Sequence, residues 1–327
     1  MLTFVDLFCG GGFGARGAVN AGAKSILAVD AWKMATETYK SNFPKSEVIC
    51  SPIEDLDPIE LAKRHYPDVL LTSPECTSHS IARGSKPGTE KSRETAIGII
   101  PWLDAMNPRW LIVENVNRMK QWGRHGELIE SIEQAGYKVN DLLLNSAEFG
   151  TPQARKRMFL VCDKQGTSIT KEDLLAVYNK KNRSAYSIID WKADYPSTPL
   201  YKTGRAQATI DRAERAIKSI GEGKNFLIVY YSSDYAGGWQ SLDAPLRTIT
   251  TVDRFGLVTW KEKTPYLRML QPPELLQAMG AGNKHVLPHG TRREKVKLCG
   301  NGVCSPVLEA IFNKIEKVQE SEISKAS

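Results

Sequence analysis

The sequence lacks the features that mark a membrane protein or a metalloprotein. No apolar run approaches the roughly 20 residues that a membrane-spanning helix needs. The six cysteines include no C-x-x-C pair and no histidine at ligand spacing from a pair, which predicts the absence of a structural metal. The first residues read as a strand rather than a signal peptide, and free thiols suit a reducing compartment. We therefore expect a cytosolic protein with no membrane segment and no metal.

Basic residues are in excess only in the second half of the chain. Residues 1–160 contain 19 Lys and Arg against 19 Asp and Glu, whereas residues 161–327 contain 25 against 18. The whole net charge of +7 therefore belongs to the later residues. This distribution favours a polyanionic partner held mainly by the second half, although a solvated basic surface would give the same count.

Short apolar runs alternate with helical patterns as far as residue 163. This alternation is typical of β-α-β units and predicts a doubly wound α/β domain with a mostly parallel sheet. The predicted strands are Thr3–Phe8, Ser25–Val29, Val48–Cys50, Val69–Thr72, Trp110–Val113, Val139–Leu144 and Met158–Cys162. The predicted helices between them include Lys33–Ser41, Pro58–Arg64 and Glu127–Ala135.

The first predicted strand runs into a glycine-rich turn between Phe8 and Gly17. Glycines there permit a tight turn and a close approach of the backbone to a ligand at a helix N-terminus. Asp30 ends the next strand, where its carboxylate is placed to accept hydrogen bonds from ribose hydroxyls. Because Gly12-x-Gly14-x-x-Gly17 also satisfies the dinucleotide fingerprint, these residues predict a nucleoside-containing cofactor without choosing between NAD and S-adenosylmethionine.

Cys76 lies where an α/β sheet presents its chemistry, just beyond the carboxyl end of a strand. It follows the apolar run Val69–Thr72 and a turn that contains Pro74. A thiol at this position is either an exposed nucleophile or a structural residue, and its own surroundings in the sequence do not decide between the two.

Two further stretches place charged side chains at strand ends. Glu114 ends a buried strand, where it either caps a helix or faces a ligand. Gln153, Arg155 and Arg157 alternate along an extended segment and so share one side of it. These three side chains either hold a carboxylate, a phosphate or a base edge, or keep an edge strand soluble.

The composition changes after about residue 164. As far as residue 240, Lys and Arg are interleaved with Tyr, Trp, Ser and Gly, which suits phosphate contacts combined with adaptable base contacts. Helices are predicted over Arg205–Ile220, over Pro272–Met279 and in a final segment that ends near Lys317. Before that last helix, Gly300-Asn301-Gly302-Val303 reads as a turn, which is either a helix cap or a second part of a nucleoside pocket.

Taken in order, these stretches resemble the motifs of the cytosine-C5 DNA methyltransferases over nearly the whole chain. Each motif alone is weak, and the specific signal is their common order. The matching runs are Asp6-Leu7-Phe8-Cys9-Gly10-Gly11-Gly12, Asp30 with Ala35-x-x-Thr38-Tyr39-x-x-Asn42-Phe43-Pro44, Pro74-x-Cys76, Glu114-Asn115-Val116, Gln153-x-Arg155-x-Arg157, Arg247-Thr248-Ile249-Thr250 and Gly300-Asn301-x-Val303.

The resemblance implies an enzyme that transfers a methyl group from S-adenosylmethionine to C5 of a cytosine flipped out of double-stranded DNA. It implies a catalytic and cofactor-binding domain over 1–163, a smaller target-recognition lobe over 164–270, and a C-terminal segment over 271–327 that completes the catalytic domain. The last helix is then expected to return to the large domain, and a monomer is expected.

The resemblance also assigns roles to individual residues. Cys76 is implied as the nucleophile that attacks C6 of the cytosine, and Glu114 as the partner of N3 and the exocyclic amine. Arg155 and Arg157 are implied to hold the O2 edge of the ring and the catalytic loop. The implied cofactor contacts are Phe8, Gly10, Gly12, Asp30, Pro74, Asn301 and Val303.

Several positions depart from the family's pattern. Glu75 and Thr77 stand where Pro and Gln usually flank the nucleophile, and a carboxylate aimed at Cys76 would oppose thiolate formation. We expect Glu75 to face away from the thiol or to contact DNA. The other departures are the reversed order of Phe13 and Gly14, Pro52-Ile53 where an Asp often contacts the adenine amine, and His79 in place of an aromatic residue.

Three alternatives remain open. The first keeps the chemistry and changes the substrate to tRNA, as one branch of the family does. The second is a DNA-binding module with a decayed active site, suggested by Glu75 and Thr77. The third is a nicotinamide oxidoreductase, which would leave Cys76, Glu114 and the two arginines without a role. The target DNA sequence does not follow from a residue-by-residue code.

Overall fold

A mostly parallel seven-stranded sheet forms the larger lobe of the computed structural model, which describes residues 1–74, 95–231 and 234–326. Its strands are β1 (Thr3–Leu7), β2 (Lys24–Asp30), β3 (Glu47–Cys50), β4 (Val69–Thr72), β5 (Trp110–Asn115), β6 (Lys138–Asn145) and, after the short β7 (Gln153–Ala154), β8 (Lys156–Asp163). The order across the sheet is β3-β2-β1-β4-β5-β8-β6, with β8 antiparallel to both of its neighbours. The predicted α/β fold is confirmed, and each of the seven predicted strands is present to within two residues.

The central strands are buried on both faces, which explains their continuous apolar sequences. Every residue of β4 and β5 is buried. Helices cover the two faces of a parallel sheet, so alternating polar positions would place polar groups in the core. In the large lobe the helices are α1 (Phe13–Asn20), α2 (Lys33–Asn42), α3 (Pro58–Ala62), α4 (Ile100–Met106) and α5 (His125–Gln134).

The smaller lobe is built on an antiparallel sheet of five strands in the order β11-β10-β13-β14-β9. These strands are β9 (Thr198–Pro199), β10 (Phe226–Val229), β11 (Trp239–Ser241), β13 (Phe255–Lys261) and β14 (Thr264–Met269), with β12 (Leu246–Arg247) lying outside the sheet. Helix α7 (Gln207–Ile220) packs on this sheet through Thr209, Ala213 and Ala216.

In the sequence, α6 (Lys171–Val177) lies between the two lobes. In space it packs against the last helix of the chain, where Lys314 and Asp173 form an ion pair at 3.0 Å. Although α6 follows the expected boundary at residue 163, it therefore contacts the C-terminal segment. The exact domain limits stay a prediction.

The C-terminal segment returns to the large lobe, as expected. It contains α8 (Pro272–Ala278), α9 (Arg292–Asn301) and α10 (Ser305–Ala326). The Phe312 ring lies 5.6 Å from that of Phe4, and the Ser305 hydroxyl donates to the carbonyl of Phe13 at 2.7 Å. A Cβ at Gly17 would lie 2.0 Å from the carbonyl oxygen of Ser305, so α1 and α10 approach too closely there for any side chain.

Two details of this segment differ from expectation. Gly300 and Asn301 form the last residues of α9 rather than a turn, because the backbone N–H of Gly302 still donates to Leu298 and closes the helix. The last helix continues to Ala326, well beyond Lys317. Arg109 extends this packing by donating to both Glu322 oxygens, at 2.6 and 2.8 Å.

No helix of the described residues is long and apolar enough to cross a membrane. Within the same residues, no group of three or more His, Cys, Asp or Glu side chains is arranged to hold a metal ion.

Candidate active site

The turn between β1 and α1, residues 8–12, is predicted to hold the cofactor and is called the cofactor turn below. It has a left-handed backbone at three positions. Phe8, Gly10 and Gly12 have φ angles of 57°, 52° and 79°. A Cβ at Gly12 would lie 2.5 Å from the Phe43 ring, whereas no atom of the described residues lies within 4 Å of a Cβ built at Gly10. The turn is therefore packed against Phe43 at Gly12, whereas Gly10 leaves room for a ligand to approach the backbone.

Asp30 fixes this turn from the end of β2. One carboxylate oxygen accepts a hydrogen bond from the backbone N–H of Gly10 at 2.8 Å, and the other accepts from Trp32 at 2.8 Å. Burial raises the pKa of the Asp30 carboxyl, and these two N–H donors act in the opposite direction. Since each carboxylate oxygen has a second lone pair, the arrangement still fits ribose hydroxyls, and the site as a whole fits a nucleoside cofactor.

Hydrogen bonds tie together the carboxyl ends of three neighbouring strands. The Asn115 amide donates to the carbonyl of Pro74 at 3.2 Å, and the Ser73 hydroxyl donates to that of Phe8 at 3.2 Å. Pro74 is therefore held beside both the cofactor turn and the end of β5. Cys76, together with Glu75, Thr77 and His79, lies outside the described residues.

Glu114 and Arg157 meet at this edge because β5 and β8 are neighbours. Arg157 Nε lies 3.2 Å from Oε1 of Glu114, whose side chain is only 8% exposed. That carboxylate oxygen has no hydrogen-bond partner among the described residues. Burial raises the pKa of Glu114, while the charges of Arg157 and Arg155 act to lower it. A buried carboxyl with an unused oxygen is suited to a hydrogen bond with a ligand.

Arg155 and Gln153 hold backbone segments together. Arg155 donates from Nη1 to the carbonyl of Ile249 at 2.9 Å and from Nη2 to that of Gly300 at 2.8 Å. The Gln153 amide accepts from the N–H of Ile249 at 2.9 Å and donates to the carbonyl of Ala278 at 3.2 Å. Both side chains are buried and bring the last two motifs against β7 and β8. The sequence predicted that these residues share one side of an extended segment. The different contacts of Arg155 and Arg157 are seen only in the structure.

The last motif packs beneath the cofactor turn. Val303 is buried, with its Cβ 3.7 Å from the position of a Cβ at Gly14, whereas Asn301 is exposed at the end of α9. The reversed order of Phe13 and Gly14 has a packing counterpart. Phe13 is buried 4.8 Å from the His285 ring and above Gly302, where a Cβ would lie 2.8 Å from the Phe13 ring.

Sequence reasoning missed Trp32 as a candidate. It follows Asp30 by two residues, is half-buried, and lies with its ring 4.5 Å from the Lys297 ammonium. An aromatic residue two positions after an acidic strand end was the available signal, because its backbone N–H donates to that carboxylate.

Comparison with known families bears directly on this geometry. The family model described as C-5 cytosine-specific DNA methylase matches residues 2–317. This chain belongs to that family. The predicted family and enzyme class are thereby confirmed, and the glycine fingerprint is that of a methyltransferase rather than of a nicotinamide oxidoreductase.

Curated members of this family are similar to the chain over different lengths. Type II methyltransferase M.HgiDI from Herpetosiphon aurantiacus is 28% identical over 322 residues, which cover 94% of this chain and 91% of that protein. The tRNA (cytosine(38)-C(5))-methyltransferase of Homo sapiens is 28% identical over 148 residues, or 44% of this chain and 37% of that protein.

Solved structures show the same fold. A prophage-encoded E. coli protein described as a DNA modification methyltransferase has a TM-score of 0.70 at 15% identity, covering 98% of this chain and 100% of the other. A variant of Spodoptera frugiperda DNMT2 has a TM-score of 0.69 at 17% identity, covering 97% and 100%. At these identities the likeness concerns the fold alone.

Proposed function

We propose that this chain transfers a methyl group from S-adenosylmethionine to C5 of a cytosine flipped out of double-stranded DNA. The observation that carries the proposal is the buried Glu114 carboxyl beside Arg157, on the same sheet edge as the turn Phe8–Gly12 and Pro74. A cytosine presents N3 and an amino group side by side, which a single carboxyl group is able to engage together.

The cofactor would be held by the turn and by Asp30. Phe8, Gly10 and Gly12 would shape the backbone against it, Asp30 would accept from the ribose, and Pro74 and Val303 would border the site. S-adenosylmethionine would supply an electrophilic methyl group. Asn301 is retained as a proposed contact because it lies at the end of α9, next to Val303 in the same motif.

Cytosine C5 is a weak nucleophile, so the ring needs activation. In the proposed reaction the Cys76 thiolate adds to C6, and the electron pair of the C5–C6 double bond becomes available at C5. Glu114 donates a hydrogen bond or proton to N3 and so offsets the charge that develops on the ring. C5 takes the methyl group, which would leave the sulfur of the cofactor behind as a neutral thioether. A base then accepts the C5 proton, and the Cys76 thiolate is released as the C5–C6 double bond re-forms.

Arg157 and Arg155 have different proposed roles because their surroundings differ. Arg157 would steady Glu114 and contact the O2 edge of the ring. Arg155 already donates to Ile249 and Gly300, so we propose it as a positioning residue that brings both closing motifs to the site.

Double-stranded DNA is the proposed substrate, with the basic second half of the chain as the contact to phosphates. Similarity to the Type II methyltransferase extends over 94% of the chain, against 44% for the tRNA methyltransferase. The same breadth supports a modification role, and action as a cytosolic monomer is proposed with it. Methylation of tRNA remains the second candidate, supported by the similarity over 148 residues to the tRNA (cytosine(38)-C(5))-methyltransferase.

Methyl transfer from tritiated S-adenosylmethionine to duplex DNA and to tRNA tests this proposal. We expect tritium in DNA from the wild type, none from Cys76→Ala, and a covalent complex of the wild type with DNA containing 5-fluorocytosine. Full activity of Cys76→Ala would contradict the nucleophile. Transfer to tRNA alone would contradict the substrate, and tight DNA binding without transfer would support a decayed site.

A further inference from the structure

The loop that follows β10 begins beside the candidate active site. The Tyr231 hydroxyl donates to the carbonyl of Thr248 at 2.7 Å, and the Thr248 hydroxyl donates to the carbonyl of Ala154 at 2.9 Å. Ala154 lies three residues before Arg157 on the same segment. Burial raises the pKa of Tyr231 to about 12, and the nearby charges of Arg247, Arg254 and Arg155 oppose that shift. Tyr231 therefore lies in a basic region next to the candidate site.

The described far side of this loop, residues 234–238, is held by helix α7. Arg212 donates from Nε and Nη2 to one oxygen of Asp234, at 2.9 and 2.6 Å. Arg215 donates from Nη2 to the other oxygen at 2.7 Å and from Nε to the carbonyl of Gly237 at 2.9 Å. Two guanidinium groups on consecutive turns of α7 thus donate hydrogen bonds to a single carboxylate, and that of Arg215 also donates to the neighbouring backbone.

The backbone between these contacts adopts an unusual conformation. Ala236, Gly237 and Gly238 have consecutive left-handed φ angles of 52°, 77° and 70°. A Cβ at Gly238 would lie 2.8 Å from the Arg212 side chain, so the turn is pressed against that arginine. Left-handed backbone at a residue with a side chain, here Ala236, persists only where the surroundings hold it.

An ordinary surface ion pair would not have these properties. Exposed pairs contribute little to stability and need no special backbone. Here the Arg212 side chain is only 14% exposed and lies over the Tyr230 ring at 5.6 Å. The contacts therefore define the shape of a short turn of small residues, 236–238, which follows the segment that begins at Tyr231.

We propose that Arg212, Arg215 and Asp234 are positioning residues for target selection, acting by holding residues 234–238 in one conformation beside the DNA-binding side of the site. This inference rests on the proposed methylation of duplex DNA. A turn of small residues offers backbone donors and acceptors to base edges, and these discriminate between sequences only when they are held in place. Loosening the turn therefore lowers discrimination between DNA sequences more than it lowers methylation itself.

The test is methylation of a plasmid library in which the bases around a cytosine are randomised, followed by bisulfite sequencing. Asp234→Asn weakens both guanidinium contacts while keeping an acceptor, and Arg215→Gln removes the more exposed of the two arginines. We expect the ratio of methylation between preferred and disfavoured sequences to fall about tenfold or more in each variant, the size of a lost base contact. Methylation of the preferred sequence should fall less than that ratio.

Glu127→Gln is the matched control, because Arg124 donates to Glu127 from Nε and Nη2 at 2.6 Å each, on the surface of α5 in the large lobe. We expect it to leave the ratio unchanged. Equal loss at all sequences in both loop variants would show a merely structural role and overturn the inference, as would an unchanged ratio. Wild-type protein inactive on duplex DNA would overturn the proposed function and this inference together.

Discussion

Glu114 shows how one residue acquires its chemistry from its neighbours. It is the penultimate residue of β5, a strand whose residues are all buried, and the fold therefore places its carboxyl out of water. Burial favours the neutral form, while Arg157 at 3.2 Å favours the charged form. The pKa of Glu114 is raised on balance, so burial is the larger effect. The protonated form, which is suited to donate to N3 of a cytosine, is therefore favoured more than in an exposed glutamate.

We expect Glu114→Gln to reduce turnover about 100-fold or more while retaining substrate binding, since an amide donates hydrogen bonds but does not transfer a proton. The wild-type rate should fall as pH rises through the raised pKa of Glu114, and this limb should be absent from the variant. Single-turnover rates measured from the ordinary pKa of a glutamate, about 4.3, upward in pH give both effects. A variant as active as the wild type would contradict the assignment.

The same pKa shift fixes the sign of a stability effect. A carboxyl whose folded-state pKa is raised holds its proton more tightly in the folded state, so its contribution to stability falls as pH rises above the unfolded-state value. Glutamine does not titrate. Denaturant unfolding should therefore show the stability of Glu114→Gln rising relative to the wild type as pH increases above the unfolded-state pKa of a glutamate, about 4.3.

Gly10 is the position where a side chain should interfere with the cofactor alone. Its φ of 52° makes alanine cost about 1 kcal/mol, and within the part of the chain that the structure describes no atom lies within 4 Å of the added methyl group. We expect Gly10→Ala to raise the KM for S-adenosylmethionine about tenfold, which corresponds to about 1.4 kcal/mol.

Gly136→Ala is its matched control, with a φ of 88° and no protein atom within 4 Å of the new Cβ. The two variants should lose similar stability in thermal unfolding, but only Gly10→Ala should change the KM. An equal effect on the KM in both would indicate general destabilisation rather than a cofactor contact.

At the scale of elements, β7 and β8 join the candidate site to distant parts of the chain. The paired strands β7 and β12 run parallel, with Gln153 beside Leu246. Gln153 and Arg155 then bind the backbone of Ile249, Ala278 and Gly300. Segments more than 90 residues apart are thus held against the strand that carries Arg157, so these side chains act on the site through the backbone.

We expect Arg155→Met to lower the free energy of unfolding by about 2–4 kcal/mol, because two buried carbonyl groups lose a charged donor. Arg124→Met, which removes a partner of Glu127 on the surface, should cost less than about 1 kcal/mol. Urea unfolding measures both. Similar small losses in the two variants would show that Arg155 does not hold the closing motifs.

At the scale of the whole molecule, the chain combines a neutral first half with a basic second half. The first half contains the parallel sheet and most of the proposed cofactor site, and the second half contains the smaller lobe. This separation suits an enzyme that would bind a small cofactor in one part and a polyanion largely through the other.

Binding of duplex DNA should therefore depend strongly on salt, whereas binding of S-adenosylmethionine should not. With about four phosphate contacts, the Kd for DNA should rise about 100-fold between 50 and 200 mM salt. Fluorescence anisotropy with labelled duplex measures the first quantity and calorimetry the second. A Kd for DNA that stays constant over this range would contradict the phosphate contacts.

The sequence by itself predicted the strands of the large sheet and their order along the chain, the glycine-rich turn after β1, and the family. Buried strands need continuous apolar runs, and the turn needs glycines at fixed positions, so both leave a local record in the residues. The order of the short motifs along the chain predicted methyl transfer to cytosine, through the resemblance to the family. Local patterns also placed Glu114 and Arg157 at strand ends, although not beside each other.

Only the tertiary structure decided which of these side chains meet. The pairing of β5 with β8 puts Arg157 beside Glu114, whereas Arg155, two residues earlier, reaches Ile249 and Gly300. The extension of α10 to Ala326 likewise depends on a distant partner, because Arg109 holds Glu322. Contacts between residues far apart in the chain leave no periodic pattern in the sequence, so the roles of Arg155 and of the loop contacts to α7 emerge only in the folded protein.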